Sequence, residues 1–191
     1  TATSFSGEIP AASLVGVCTS GLTKTGGFGK LLQVVYFNKT DSSSLNITET
    51  FQDVSGYSIS ITPTAANSKI ILSGQLNFCA NDTYNYGKFV RSINGGSYAD
   101  VTDWIGDASG SRIRSLFGST QTWDSYRNAP HAVYAVDDSH NTTDTITYKL
   151  QWRNNYNHLT SFIYFNRSET DSNNNNGSVA ASHLTLMEIA A

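Results

Sequence analysis

The sequence predicts an all-β fold, an antiparallel β-sandwich of jelly-roll-like layout with about nine or ten strands. Three observations predict it. Apolar residues fall on every second position in several segments, most plainly in YSISITPTAANSKIILSGQLNF over residues 57–78 and in TITYKLQW over 145–152. A period of two sets such residues on one face of a pleated strand, whereas a helix needs spacings of three and four. Aromatic residues make up 12% of the chain, and they fit pleated surfaces alongside β-branched ones, while Ala, Glu and Lys nowhere cluster at helical spacing. Short polar residues occupy the alternate positions, so each sheet is expected to have one solvated face.

Taken in order, residues 1–29 differ from the rest: Gly, Ser, Thr and small apolar residues mix without a sustained period and end in TSGLTKTGGFG. This reads as an extended arm or linker. Ile9, Leu14, Val15 and Val17 are too apolar for a fully solvated tail, so the arm is expected to dock on another surface. Residues 30–191 are long enough for one sizeable core and are read as a single domain. LLQVVYF at 31–37 reads as a buried strand, 38–44 as a polar loop, and LNITETFQDV at 45–54 as an amphipathic strand with Leu45, Ile47, Glu49 and Phe51 on one parity. Residues 57–61 and 70–78 read as two strands of one sheet with a tight turn between them. Pro63 cannot donate to a ladder there, and Asn67 tolerates left-handed backbone.

Further along, residues 81–85 form a loop, and segments 86–93 and 97–105 flank Asn94-Gly95-Gly96, the strongest short-range hairpin signal in the chain. Residues 106–111 turn, 112–122 are expected to be a strand, and 123–130 an aromatic-containing loop. A short strand at 131–136 precedes the polar break at 137–144. Segments 161–167 and 178–189 surround an asparagine run at 173–177, which is expected at a hairpin tip.

Several function classes are disfavoured. A net charge of -3 with 14% charged residues provides no basic field for a phosphate backbone, so no nucleic-acid partner is expected. The longest apolar run, 31–37, is interrupted by Gln33, and a spanning helix needs about 20 residues, so no membrane insertion is expected. Cys18 and Cys79 would close a loop of about 60 residues, worth about 4 kcal/mol if bonded. Lacking close spacing, they read as two small buried thiols.

Candidate chemistry is sparse. His131, His140, His158 and His183 lie far apart with no G-x-S-x-G motif, and they read as loop or strand-surface residues. Asp100, Asp103 and Asp107, and the pair Asp137 and Asp138, read as acids supporting turns; the D-x-D-x-D-G spacing of a calcium loop is missing. No catalytic residue, cofactor or metal site is expected, and the chain is read as non-enzymatic. Six Asn-x-Ser/Thr sequons, at Asn38, Asn46, Asn81, Asn141, Asn166 and Asn176, would be glycan acceptors in a secreted eukaryotic protein. A secreted, lectin-like glycan-binding module is thus the outlying alternative. Tyr84, Tyr86, Trp104, Trp123, Tyr126, Tyr156 and His158 fall in or beside loops, where rings stack on sugars or pack at interfaces, or else cap the ends of a sandwich. Trp123, Tyr126 and Tyr156 are the candidate receptor or glycan contacts. In 182–189, Leu184 and Leu186 share one parity while Met187 and Ile189 occupy the other, so both faces of this strand are apolar. One face packs on the sheet, and Met187 and Ile189 are expected at a subunit contact.

Four blocks carry a resemblance: S-I-S-I-T-P-T-x-x-x-S-K-I-I-L from Ser58 to Leu72, G-D-A-S-G-S-R from Gly106, N-R-S-E-T-D-S from Asn166, and L-T-L-M-E-I-A-A from Leu184. In this order the set resembles the C-terminal domains of tail-fibre-like virion proteins of tailed bacteriophages, marine ones especially. The resemblance covers roughly residues 30–191. It implies a virion-surface structural protein, a fibre or knob domain for host adhesion or particle assembly. It also implies a homotrimer, with residues 1–29 docking on other virion proteins or another subunit and a host-surface glycan or receptor as the outer partner. Capsid decoration, or a head fibre, is the competing reading.

Overall fold

Alternation in the sequence becomes burial in the structure. The computed structural model describes residues 29–80, 84–118, 126–155 and 162–191, and within them ten strands and one 3-10 turn build two antiparallel sheets. The larger sheet contains β1 (Leu31–Lys39), β2 (Ser43–Asn46), β4 (Lys69–Ala80), β7 (Ala129–Asp137), β9 (Phe162–Phe165) and β10 (Ser182–Ile189). Its order is β1-β10-β4-β9-β2, with β7 also paired to β4. The smaller sheet, ordered β3-β8-β5-β6, contains β3 (Gln52–Ile61), β5 (Asn85–Ile93), β6 (Ala99–Asp100) and β8 (Ile146–Asn154). Successive strands repeatedly change sheets, β3 to β4, β4 to β5 and β7 to β8 among them, which is the layout of a jelly roll rather than of a meander.

The core lies between the sheets. From the smaller sheet come Ile146, Tyr148, Leu150 and Trp152 of β8, all fully buried, with Tyr57, Ile59 and Ile61 of β3; from the larger come Ile70, Leu72, Leu76 and Phe78 of β4 and Leu184 and Leu186 of β10. Trp152 meets Phe78 edge-on with centroids 4.6 Å apart and lies against Phe117 at 5.8 Å. Such edge-to-face pairs add about 0.5–1.5 kcal/mol beyond the area they bury.

Several expectations are corrected. Residues 57–61 and 70–78 are strands as expected, but they lie in opposite sheets. Their connection is a crossover rather than a hairpin turn, and Asn67 is not among the left-handed residues. The segment 45–54 is not one strand: it is divided between β2 and β3 of different sheets, with residues 47–51 irregular between them. β1 is not buried, because among the described strands it is an edge strand paired to β10 alone; Val34 is 53% and Tyr36 63% exposed. The hairpin at Asn94-Gly95 forms with positive φ at both residues, but its returning strand β6 is only two residues long and gives way to a 3-10 turn at Thr102–Trp104. Within 112–118 no strand forms beyond a bridge from Phe117 to Gly87. The asparagine run closes a short antiparallel contact as expected, a bridge from Arg167 to Val179 with Ala180 donating to the Asn166 carbonyl at 2.9 Å, but the strands beyond it diverge: β9 lies against β4 and β2 while β10 lies against β1 and β4.

Two buried carboxylates tie the layers together. Asp137 of β7 is read from sequence as a turn acid, yet it is buried, and it bridges the sheets. Both its oxygens accept from Nη1 of Arg91 on β5 at 2.7 Å, and one accepts from the Tyr148 hydroxyl of β8 at 2.7 Å. Glu188 of β10, also buried, accepts from Nε2 of Gln33 at 2.6 Å, from the backbone N–H and hydroxyl of Thr64 at 2.8 and 3.0 Å, and from the N–H of Ala65 at 3.2 Å. It thereby holds the crossover between β3 and β4.

For Glu188, burial pushes the carboxyl up, but the donors from Gln33, Ser68 and Thr64 outweigh it and hold the group below the usual carboxylate range. A depressed folded-state value means that the stabilisation is fully present above the unfolded value, about 4.3, and is lost as pH falls through the folded value. Glu188→Gln is therefore expected to flatten the acid limb of the stability curve. Thermal melts below about pH 5 should lose less on acidification in the variant than in the parent, and equal slopes would refute this role.

Candidate interaction face

The outer face of the larger sheet is built from residues whose parity points away from the core. The ladder registers align them into transverse rows. Val34 pairs with Met187, Met187 with Ile71, and Ile71 with Val136, so one row is apolar across β1, β10, β4 and β7. The next row reads Tyr36, Thr185, Ser73 and Tyr134. On the other side Leu31 pairs with Ile189 and Ile189 with Lys69, and that lysine is the only formally charged residue in the three rows. Leu31, Val34, Tyr36 and Tyr134 are 50%, 53%, 63% and 69% exposed, and Met187, Ile71, Val136 and Ile189 are half-buried.

Tyr36 is positioned by its neighbour: its ring stacks on that of His183 with centroids 6.3 Å apart, and its hydroxyl lies 3.1 Å from Nδ1. This leaves an aromatic edge beside an apolar row on a rigid, paired sheet. Contiguous apolar surface of this kind marks interaction sites in soluble proteins. Chemically the face can offer desolvation and ring contacts, with hydroxyls from Tyr36, Tyr134, Thr185 and Ser73 for orientation.

Of the residues singled out by sequence, Met187 and Ile189 do lie on this face. Tyr126 is half-buried in the segment before β7. Trp123, Tyr156 and His158 lie outside the described residues, as do Ile9, Leu14, Val15, Val17 and Cys18. Trp104 is not a surface ring: it is buried, stacks on Tyr148 at 4.9 Å, and donates from Nε1 to the Val136 carbonyl at 2.8 Å. Tyr84 is 48% exposed, with φ of 61°. Cys79 is fully buried.

The histidines divide. His183 is on the strand surface as expected, but His140 is buried between the carbonyls of Ser68 and Thr142. His131 stacks on Phe78 at 3.7 Å, and burial pushes its pKa down. Among the sequons, Asn166 cannot accept a glycan in the folded protein, because it is fully buried and its amide donates to the carbonyls of Lys39 and Asp41. Among the described residues no group of three or more metal-ligating side chains comes together.

Val34, Tyr36, Ile71 and Tyr134 are not singled out by the sequence reading. The signal for three of them is consecutive apolar residues inside a strand, Val34-Val35-Tyr36-Phe37 and Ile70-Ile71-Leu72, where one parity feeds the core and the other must face outward.

Solved structures to which the chain is similar include several from infectious bursal disease virus. They include its VP2 subviral particle (14% identity, TM-score 0.44, covering 96% of this chain and 42% of that one) and its derived T=1 particles (9%, 0.42, 95% and 44%). A third is the virus of the Gt strain (12%, 0.41, 96% and 43%). The chain spans under half the length of each of these structures. No family model matches the chain, and no curated protein matches it.

Proposed function

We propose that the chain is a non-enzymatic virion structural protein, a tail-fibre or knob domain at the virion surface that serves host adhesion or particle assembly. The observation that carries this reading is the uncharged apolar row Val34, Met187, Ile71 and Val136 on the outside of the larger sheet. A surface of this composition is suited to permanent protein contact, where charge is depleted and desolvation drives binding. The ordered sequence blocks that resemble phage tail-fibre-like proteins support the viral setting. Met187 and Ile189 then belong to a subunit contact closed by symmetry around a trimer axis, which buries the same residues in every copy. Trp123, Tyr126 and Tyr156 are the proposed outward contacts to a host-surface glycan or receptor.

The test is location. Gold-labelled antibody against the chain should decorate intact phage particles, and light scattering of the purified protein should give the mass of a trimer. Label at fibre tips supports the adhesion role; label on the head instead makes it a decoration protein. Particles that lack the protein altogether would overturn the proposal.

A further inference from the structure

We infer that the outer face of the larger sheet is covered by residues 1–28 of a second copy of this chain. The inference rests on the assembly reading above and adds to it the identity of the covering segment. Three observations point to it.

The first is area. Four strands about 4.8 Å apart, crossed by three rows about 6.8 Å apart, present only about 400 Å². A stable interface takes roughly 800 Å² from each partner, so flat contact between two such faces falls short. In a closed ring each copy both receives a segment and gives one, so each copy buries about twice the area of one face over its two contacts, and the ring is held by all of them together.

The second is chemical match. Residues 1–28 contain only two charged side chains, Glu8 and Lys24, and carry Ile9, Leu14, Val15 and Val17. Such a segment gains by leaving water, and the rows of the face hold a single charge at one end, Lys69.

The third is direction. Ala190 donates to the Lys30 carbonyl at 2.8 Å, which extends the β1–β10 ladder beyond Leu31. Gly29 lies so close to Ile189 and the Ala190 carbonyl that a Cβ there would collide with both. The chain therefore enters the fold along the strand axis, from beyond the end of the sheet and beside the apolar rows. A second copy placed beyond that end of the sheet would present its own face to such a segment without the chain having to reverse direction.

Met187, the only methionine, sits in the middle of the apolar row and reports on its own cover through its rate of oxidation by peroxide. In the full chain at high protein concentration, Met187 should oxidise at least about tenfold more slowly than in the double variant Val15→Asp/Val17→Asp. Protection should fade on dilution in step with the loss of oligomer mass in light scattering. The substitutions lie outside the described residues, and circular dichroism should show the strand content unchanged. Val34→Asp, on the receiving face, should release the same protection.

Protection that survives dilution but is lost in the double variant means that a chain covers itself, and it overturns the second-copy assignment. Protection and oligomer both unaffected by the double variant overturn the segment assignment while leaving the assembly reading intact. A monomer with freely oxidised Met187 at every concentration overturns both.

Discussion

Asp137→Ala is expected to lower the free energy of unfolding by about 3–5 kcal/mol, the range for removing one partner of a buried ion pair. The carboxylate is fully buried and the Arg91 side chain is 19% exposed, so the guanidinium left behind would stay largely out of water without its partner. The loss is compounded at Tyr148, whose hydroxyl donates to Asp137 from the centre of β8. Burial, reinforced by the adjacent carboxylate, pushes that tyrosine's pKa far up, so it is a neutral donor across the accessible pH range. Tyr148→Phe keeps the ring that stacks on Trp104 and removes one hydrogen bond, which should cost only about 1 kcal/mol. Urea unfolding followed by circular dichroism measures both. A cost below about 1 kcal/mol for Asp137→Ala would mean that the two sheets are held by apolar packing alone.

The same residue shows where sequence reading stops. In VYAVDDSH, Asp137 and Asp138 look equivalent and turn-like. In the structure Asp137 is the last residue of β7 and faces inward, while Asp138 is exposed. Which of two adjacent acids is buried depends on the position of Arg91, which lies 46 residues earlier in the other sheet. No local pattern records that distance. The strand β8 is the opposite case: Ile146, Tyr148, Leu150 and Trp152 alternate cleanly, and all four are fully buried, because alternation alone determines which face turns inward.

Period does not say which sheet a strand joins. Residues 57–61 and 70–78 read as one paired unit because both alternate and a proline-containing turn lies between them. Yet the connection of residues 62–68 is longer than a two-residue hairpin loop, and it closes against Glu188 of β10 instead of bringing β3 and β4 together. The candidate face was half legible. Met187 and Ile189 stand out because their strand is apolar on both parities, but the contributions of β1, β4 and β7 become one surface only through strand registers that join residues far apart in the chain, Val34 with Met187, Met187 with Ile71 and Ile71 with Val136.

Gly74→Ala is expected to destabilise the fold by about 3–4 kcal/mol, through overpacking together with backbone strain. Gly74 is in the middle of β4, opposite Leu184 of β10 and Val133 of β7, with φ of 153°. An added Cβ would strike the His183 carbonyl oxygen and come within 2.9 Å of the Leu184 Cα and 3.0 Å of the His183 carbonyl carbon. These obstacles are backbone, so no side-chain rotation relieves them. Relief requires β10 to move off β4, which breaks a ladder running from His183–Gln75 to Ile189–Lys69. That ladder also aligns Met187 with Ile71, so separating the strands would split the apolar row across its middle. The variant should therefore unfold at a lower urea midpoint and, in the proposed assembly, lose oligomer mass in light scattering at lower denaturant concentrations than the parent. The control is Gly106→Ala, where an added Cβ meets open space, and it should leave both unchanged. If Gly74→Ala matches that control, the close approach of β10 to β4 at this position is not required for the fold or for its outer face.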